Sequence, residues 1–167
     1  MDKKFRYSGI NYNDVANGEG ISLSVFLQGC PHRCEGCFNP ETWDFNGGKE
    51  FTDEVLNNIV NKINANSIER NLSILGGEPL CPGNVELTAL IIRAVKQAHP
   101  QTPIYIWTGY TYEDLMKIIN LDLAYVLDNT DVLIDGPFIQ EQKDLTLPLR
   151  GSKNQRVLNL KIPTWLY

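Results

Sequence analysis

Three cysteines lie within eight residues of one another in the sequence: Cys30, Cys34 and Cys37. Thiolates are the usual ligands of iron-sulfur clusters, and ferredoxins hold their clusters through similarly short cysteine spacings. Ferredoxins supply a fourth cysteine, whereas this loop supplies three. The spacing therefore predicts a 4Fe-4S cluster held at three corners, whose fourth iron is free to bind and reduce another molecule.

The cysteines alone leave other interpretations open. Zinc sites with four cysteines, or with three cysteines and a histidine, are common, and Cys81 or His32 would complete such a site. The protein would then be a zinc-binding interaction module without enzymatic activity. A plain electron carrier is a further alternative, although the free iron corner argues against it. Cys81 is distant from the other three in sequence and is expected to take no part in the site.

Composition and charge restrict the other classes of function. With 167 residues, of which 43% are hydrophobic, the chain is expected to form a single domain over residues 1–167. The net charge is −5 and there is no dense basic block, so neither nucleic acid nor a membrane is an expected partner. The first residues are charged and lead into a polar stretch, not into an apolar signal core. We therefore expect a cytoplasmic protein, in which clustered cysteines are more often metal ligands than disulfides.

Hydrophobic periodicity predicts an alternation of strands and helices. The pattern indicates strands over 22–28, 71–75, 103–108, 131–135 and 155–160, and helices over 52–64, 84–99 and 112–119, while 124–127 is ambiguous. Such alternation is typical of an α/β fold with a mainly parallel sheet and flanking helices, either open or curled into a partial (β/α) barrel. Active residues are then expected at the carboxyl ends of the strands.

Further polar and glycine positions end these predicted strands. Gly76 and Gly77 have no side chains, so the backbone there can approach a ligand and offer carbonyls to an ammonium group, while Glu78 adds a carboxylate. Thr108 and Asp135 also end strands and could hydrogen-bond a ribose or the amino-acid part of a cofactor. Ordinary roles in turns and caps are the alternative for each of these positions. Neither histidine has an evident carboxylate partner in the sequence.

Two sets of motifs carry a family resemblance. The cysteine loop, followed by Gly-Gly-Glu-Pro at 76–79, resembles the radical S-adenosylmethionine (radical SAM) enzymes. The motifs at 107–110, 135–138 and 150–156 are similar to those of the activating proteins of anaerobic ribonucleoside-triphosphate reductase. The resemblance runs from about Gly18 to Arg156. It implies that Cys30, Cys34 and Cys37 bind the cluster and that the amino and carboxylate groups of S-adenosylmethionine chelate its fourth iron.

The same resemblance implies the activity and the partners. One electron from the reduced cluster would cleave S-adenosylmethionine to methionine and a 5'-deoxyadenosyl radical, which would take a hydrogen atom from a glycine of the reductase. A flavodoxin-like electron donor is implied as well. The alternative within this chemistry is an activase of another glycyl-radical enzyme, such as pyruvate formate-lyase, but the chain lacks the inserted ferredoxin-like cysteine domain of many such relatives.

One position departs from the pattern of the superfamily. Many radical SAM proteins have an aromatic residue directly before the third cysteine, where it packs on the adenine, whereas this chain has Gly36 there and Phe38 just beyond. Gly36, Cys37 and Phe38 are therefore expected to contact the adenine. From their sequence pattern alone, the basic residues Arg150, Lys153 and Arg156 are expected to lie in a solvated loop, and the resemblance adds a docking role.

Overall fold

A computed structural model describes residues 3–162, and all the strands in that range form one seven-stranded sheet. The strands are β1 (Arg6–Asp14), β2 (Ser22–Leu27), β3 (Lys49–Glu50), β4 (Asn71–Gly76), β5 (Ile104–Trp107), β6 (Val132–Asp135) and β7 (Arg156–Asn159). The helices are α1 (Asp53–Lys62), α2 (Val85–Ala98), α3 (Tyr112–Leu115) and α4 (Leu121–Asn129). The predicted α/β class with one sheet and flanking helices is confirmed.

The sheet is mixed, with a parallel centre and antiparallel edges. The strand order is β3-β1-β2-β4-β5-β6-β7, and the four neighbours β2, β4, β5 and β6 run parallel. The strands β1, β3 and β7 pair antiparallel. The expectation of a mainly parallel sheet therefore holds for the centre alone, because β1 and β3 lie in segments whose polar residues gave no strand signal. Within residues 3–162 the sheet is open, since β3 and β7 lie at opposite ends of it.

The helices α1, α3 and α4 begin at capping side chains. Thr52, the first residue of the predicted helix over 52–64, accepts a hydrogen bond from Val55 N and starts α1. The ambiguous 124–127 segment belongs to α4, which starts where the Asn120 side chain accepts from Leu123 N. The predicted helix over 112–119 ends four residues early, at Leu115. In the part of the chain that the structure describes, no helix has both the length and the apolar character needed to cross a bilayer.

The two faces of the sheet are occupied differently. Side chains alternate along a strand, so neighbours in sequence point to opposite faces. On one face, residues such as Val25, Ile74 and Ile106 are fully buried and join the main apolar core, against which α1, α2 and α4 pack. On the other face, their neighbours, among them Phe26 and Leu75, line a cavity. The helices thus cover one face and leave the other for the site.

Candidate metal and cofactor site

The cysteine loop leaves the sheet at the carboxyl end of β2 and returns alongside its own start. Gly29 N donates to Thr42 O (2.7 Å) and Cys30 N donates to Trp43 O (3.2 Å), so the two ends of the loop are held together. All four cysteines of the chain are free thiols, and those of the loop are partly buried. Burial raises the pKa of the Cys30 thiol above its ordinary value, while the N–H groups of His32 and Arg33, which bond to it, oppose the shift.

The three loop cysteines line a cavity of about 590 Å³. This volume falls within the range of roughly 300 to 1,000 Å³ that is usual for small-molecule and cofactor sites. The cavity lies at the carboxyl ends of the parallel strands, where the fold is expected to place a site. Six of the residues predicted to bind the cofactor line it: Cys37, Phe38, Gly76, Gly77, Glu78 and Thr108. The predicted residues Gly36 and Asp135 are not among its lining residues.

Phe38 lies at the mouth of the cavity. Its side chain is 52% exposed, and its ring packs at a tilt against that of Phe138, with 5.0 Å between the ring centroids. Gly36 precedes it with φ +75°, in the left-handed region that favours glycine, so the loop turns sharply there. An aromatic surface is therefore available beside the third cysteine, supplied from the residue after it.

Gly76 and Gly77 bring the ends of β2 and β4 together. Gly76 has φ +98°, and Gly77 N donates to Leu27 O (2.9 Å). A Cβ atom on Gly77 would overlap the backbone of Gly29, at the start of the cysteine loop. The missing side chains thus allow the Gly-Gly turn to touch the loop directly, in addition to leaving backbone groups at the cavity wall.

Glu78 is the most extensively bonded side chain of the site, and it is 1% exposed. Its Oε1 accepts from Leu80 N (2.9 Å) and from the Thr108 hydroxyl (2.8 Å). Its Oε2 accepts from Gly109 N (2.7 Å) and from His32 Nε2 (2.7 Å). These four donors match the roughly four lone-pair sites of a carboxylate. The side chain therefore connects the ends of β4 and β5 with the cysteine loop, and its predicted contact with a cofactor stays a prediction.

The contact with His32 corrects one sequence-based expectation. His32 does have a carboxylate partner, because Glu78, 46 residues further along the chain, lies at hydrogen-bond distance from it. His99 lies elsewhere and bonds to Val60 O (3.1 Å). Sequence reasoning missed the pair because the two residues come from different strand ends.

Asp135 ends β6 as predicted, but its carboxylate contacts the protein itself. It accepts from Tyr112 N (2.8 Å) and from Arg156 Nε and Nη2 (3.0 and 2.6 Å). The carboxylates of Asp135 and Glu113 raise the pKa of Arg156 above its ordinary value. Arg156 is therefore part of an ion-pair network, which differs from the solvated loop that its sequence pattern suggested. The cofactor contact predicted for Asp135 stays a prediction.

Cys81 differs from the loop cysteines in its burial and in its position. It is buried, its thiol donates to Glu78 O (3.2 Å), and it does not line the cavity. Burial raises the pKa of this thiol to about 11. Because metal ligation requires a thiolate, this environment disfavours Cys81 as a ligand.

Comparisons with known proteins agree with this site. Residues 16–158 match the family model described as a 4Fe-4S single cluster domain. The anaerobic ribonucleoside-triphosphate reductase-activating protein of Haemophilus influenzae is 42% identical over 150 residues, which cover 89% of this chain and 94% of that protein. The proteins of the same name from Escherichia coli K12 and Vibrio cholerae are 38% identical over 149 residues and 40% over 143. These matches cover 89% of this chain and 94% of the former protein, and 85% of this chain and 90% of the latter.

The chain belongs to this family of reductase-activating proteins. Two residues help to build the site in ways that the sequence did not predict. The buried Asn84 amide donates to the carbonyls of Gln28, Gly29 and Glu78 (3.0–3.1 Å) and so fixes the base of the cysteine loop. Arg150 lines the cavity, and its Nη1 donates to Gln155 O (2.8 Å). Asn84 precedes α2, and its sequence position gave no sign that its amide would bind the base of the loop. The place of Arg150 on the cavity wall depends on how the 137–155 segment folds back.

Proposed function

We propose that this chain activates an anaerobic ribonucleoside-triphosphate reductase by generating a glycyl radical on it. The radical would arise through reductive cleavage of S-adenosylmethionine at a 4Fe-4S cluster, so the chain would be a radical SAM enzyme. The observation that carries the proposal is the placement of three free thiols of one loop, Cys30, Cys34 and Cys37, on the wall of a cofactor-sized cavity. The names of the relatives support the choice of the reductase as partner.

The donor set of the site fits the cluster. Three cysteine sulfurs from one short loop can hold three irons, and the remaining cysteine of the chain, Cys81, is buried outside the cavity. When bound, the reduced cluster and S-adenosylmethionine would supply a 5'-deoxyadenosyl radical that takes a hydrogen atom from a glycine of the partner. The chain itself has to hold the cofactor, keep water away from it and admit the glycine.

The proposed cofactor contacts follow the cavity wall. Gly36, Cys37 and Phe38 would contact the adenine, for which the exposed Phe38 ring offers an aromatic surface. The backbone of Gly76 and Gly77 would receive the amino-acid group. For Glu78, Thr108 and Asp135 we propose contacts with the ribose or the amino-acid part of the cofactor, at the same end of the sheet. The hydrogen bond that Thr108 donates to Glu78 would keep that end rigid.

The family match favours a cluster over a single zinc ion. Residues 16–158 match a family model described as a 4Fe-4S single cluster domain. A tetrahedral zinc site would need a fourth ligand beside the three loop thiols, and Cys81 is buried outside the cavity.

The open mouth of the cavity suits a protein substrate. Phe38 and Leu145 line the cavity and are large apolar side chains with exposures of 52% and 68%. We propose that the reductase covers this mouth during the reaction and that a flavodoxin-like protein supplies the electron. The proposal also includes a single domain over residues 1–167, in support of which every described strand belongs to the same sheet. It further includes a sheet of the partial (β/α) barrel type, for which the parallel pairing of β2, β4, β5 and β6 is the support.

The decisive experiment is anaerobic activation of the reductase. The reconstituted chain is incubated with the reductase, a reductant and S-adenosylmethionine, and the glycyl-radical doublet is followed by electron paramagnetic resonance. We expect the doublet with the reductase and none with pyruvate formate-lyase. A preparation that contains one zinc and no sulfide, or that cleaves no S-adenosylmethionine, would refute the proposal.

A further inference from the structure

His32 has an unusually complete set of contacts for a residue in a loop. It lies between Cys30 and Cys34, and its Nε2 donates to Glu78 Oε2 at 2.7 Å. Its ring packs edge-on against Tyr110, with 4.6 Å between the centroids. Its side chain is 19% exposed although the neighbouring Pro31 and Arg33 are exposed residues. The imidazole is therefore turned inward, toward the ends of the strands.

The position of the ring depends on a missing side chain at the end of β5. A Cβ atom on Gly109 would lie 2.5 Å from His32 Cδ2 and 2.7 Å from its Nε2. Gly109 N also donates to the same Glu78 oxygen that accepts from His32. The glycine thus provides both the space for the imidazole and a second bond to its partner.

The contacts of His32 reach three strand ends. Glu78 follows β4, and it is bonded to Thr108 and Gly109 after β5. Tyr110, which packs on the imidazole, accepts a hydrogen bond at its carbonyl from Gly136 N (2.8 Å), after β6. One side chain of the cysteine loop is therefore joined to the carboxyl ends of three neighbouring strands.

The tip of the loop depends on this attachment more than its base does. The base is held by backbone hydrogen bonds from Gly29 and Cys30 and by the Asn84 amide. Beyond Cys30, the chain enters the left-handed region at Arg33 (φ +49°), which residues other than glycine rarely adopt. A contact from the adjacent residue to a rigid part of the fold explains how the loop keeps this conformation.

We infer that His32 is a positioning residue that fixes the cysteine loop to the strand ends through Glu78 and Gly109, and so holds the three thiols ready for metal before any is bound. The inference deepens the proposed function, since it concerns the loop of the proposed cluster. Its test is separate, because it is made on the full chain without metal. Loss of radical chemistry alone would therefore leave the inference standing.

The test uses two amide substitutions that differ by one methylene. In His32→Gln the side-chain amide nitrogen can reach the place of Nε2 and still donate to Glu78, whereas in His32→Asn it reaches only the place of Nδ1. The measurement is hydrogen exchange of the His32, Arg33 and Cys37 amides in the metal-free chain, at one pH. We expect exchange about tenfold faster in His32→Asn, which corresponds to about 1.4 kcal/mol, and within about threefold of the original chain in His32→Gln.

Two further variants make the result specific. Gly109→Ala keeps the histidine in the sequence but fills the space that its ring occupies. We therefore expect the loop amides to exchange as fast as in His32→Asn. His99→Ala changes the other histidine, and we expect no change at the loop. In every variant the amides of β4 and β5 should keep their protection, which separates a loosened loop from a destabilised fold.

The same variants can be followed after the cluster is reconstituted. Iron loss to a chelator should be faster in His32→Asn and Gly109→Ala than in His32→Gln. Unchanged loop exchange in His32→Asn, or equal exchange in the Gln and Asn variants, would overturn the inference.

Discussion

The two faces of the central sheet are built from the same strands and serve opposite purposes. Ile74 and Leu75 are neighbours in β4, yet Ile74 is enclosed in the apolar core against the helices, whereas Leu75 lines the cavity. The helix-covered face is closed by the chain itself. The opposite face combines apolar side chains with glycines and with the thiols of the cysteine loop.

The division between the two faces explains how a small domain combines stability with an open site. Because side chains alternate along a strand, every second residue contributes to the core, and of the residues between them Phe26, Leu75 and Trp107 line the cavity. Substitutions on one face should therefore change stability, and those on the other should change ligand binding.

The largest effect is expected at the loop cysteines. Replacing Cys30, Cys34 or Cys37 with alanine removes one of the three proposed ligands, so we expect loss of the cluster and of all S-adenosylmethionine cleavage. Iron and sulfide content of anaerobically reconstituted protein measure the first effect, and chromatographic detection of 5'-deoxyadenosine measures the second.

The matched control for these variants is Cys81→Ala. Its thiol is buried outside the cavity, so the cluster and the cleavage activity should be retained. If Cys81→Ala lost the metal while a loop variant kept it, the ligand assignment would be wrong.

The next largest effect is expected in the free energy of unfolding, when the neighbours Ile74 and Leu75 are each truncated. Truncating a fully buried side chain costs about 2 to 5 kcal/mol through lost burial and the void left behind, and we expect Ile74→Ala to fall in this range. Leu75→Ala opens onto an existing cavity, so it should cost at least about 1 kcal/mol less. Denaturant unfolding of the metal-free variants measures both values, and equal losses would contradict the division between the faces.

A pH-dependent effect is expected from the buried thiol of Cys81. Its pKa is raised from 9.0 to about 11 by burial, so the folded state favours the protonated thiol. Its contribution to stability is complete below about pH 9 and is lost as the pH rises toward about 11, by up to about 3 kcal/mol. The measurement is the difference in unfolding free energy between the original chain and Cys81→Ala across this range. A difference that does not change with pH would show that the thiol is accessible to water.

The smallest effect is expected at Asn84, below the cysteine loop. Its amide donates to three carbonyls, so Asn84→Ala leaves buried acceptors without a donor and should cost about 1 to 2 kcal/mol. Denaturant unfolding measures the cost, and faster hydrogen exchange at Gly29 and Cys30 would locate it. Asn120→Ala, which removes an exposed helix cap, is the control that should leave the loop unchanged.

Local sequence signals predicted the central elements well. The strand predicted over 22–28 and the helices predicted over 52–64 and 84–99 depend on residues close together along the chain. The structure confirms all three, as Ser22–Leu27, Asp53–Lys62 and Val85–Ala98. The edge strand β1 gave no signal, because its residues are largely polar and its stability comes from pairing with β2. The short α3 likewise ends where the chain turns toward α4, which the helical periodicity did not reveal.

The sequence by itself determined the three thiols on one loop, their place after a strand and the family resemblance, because these depend on residue type and spacing. The tertiary structure decided which partners those residues have. It brought Glu78 to His32 across 46 residues, enclosed Cys81 and engaged Asp135 with Arg156. Such contacts join residues far apart in the chain, and only the assembled sheet brings their strand ends within hydrogen-bond distance.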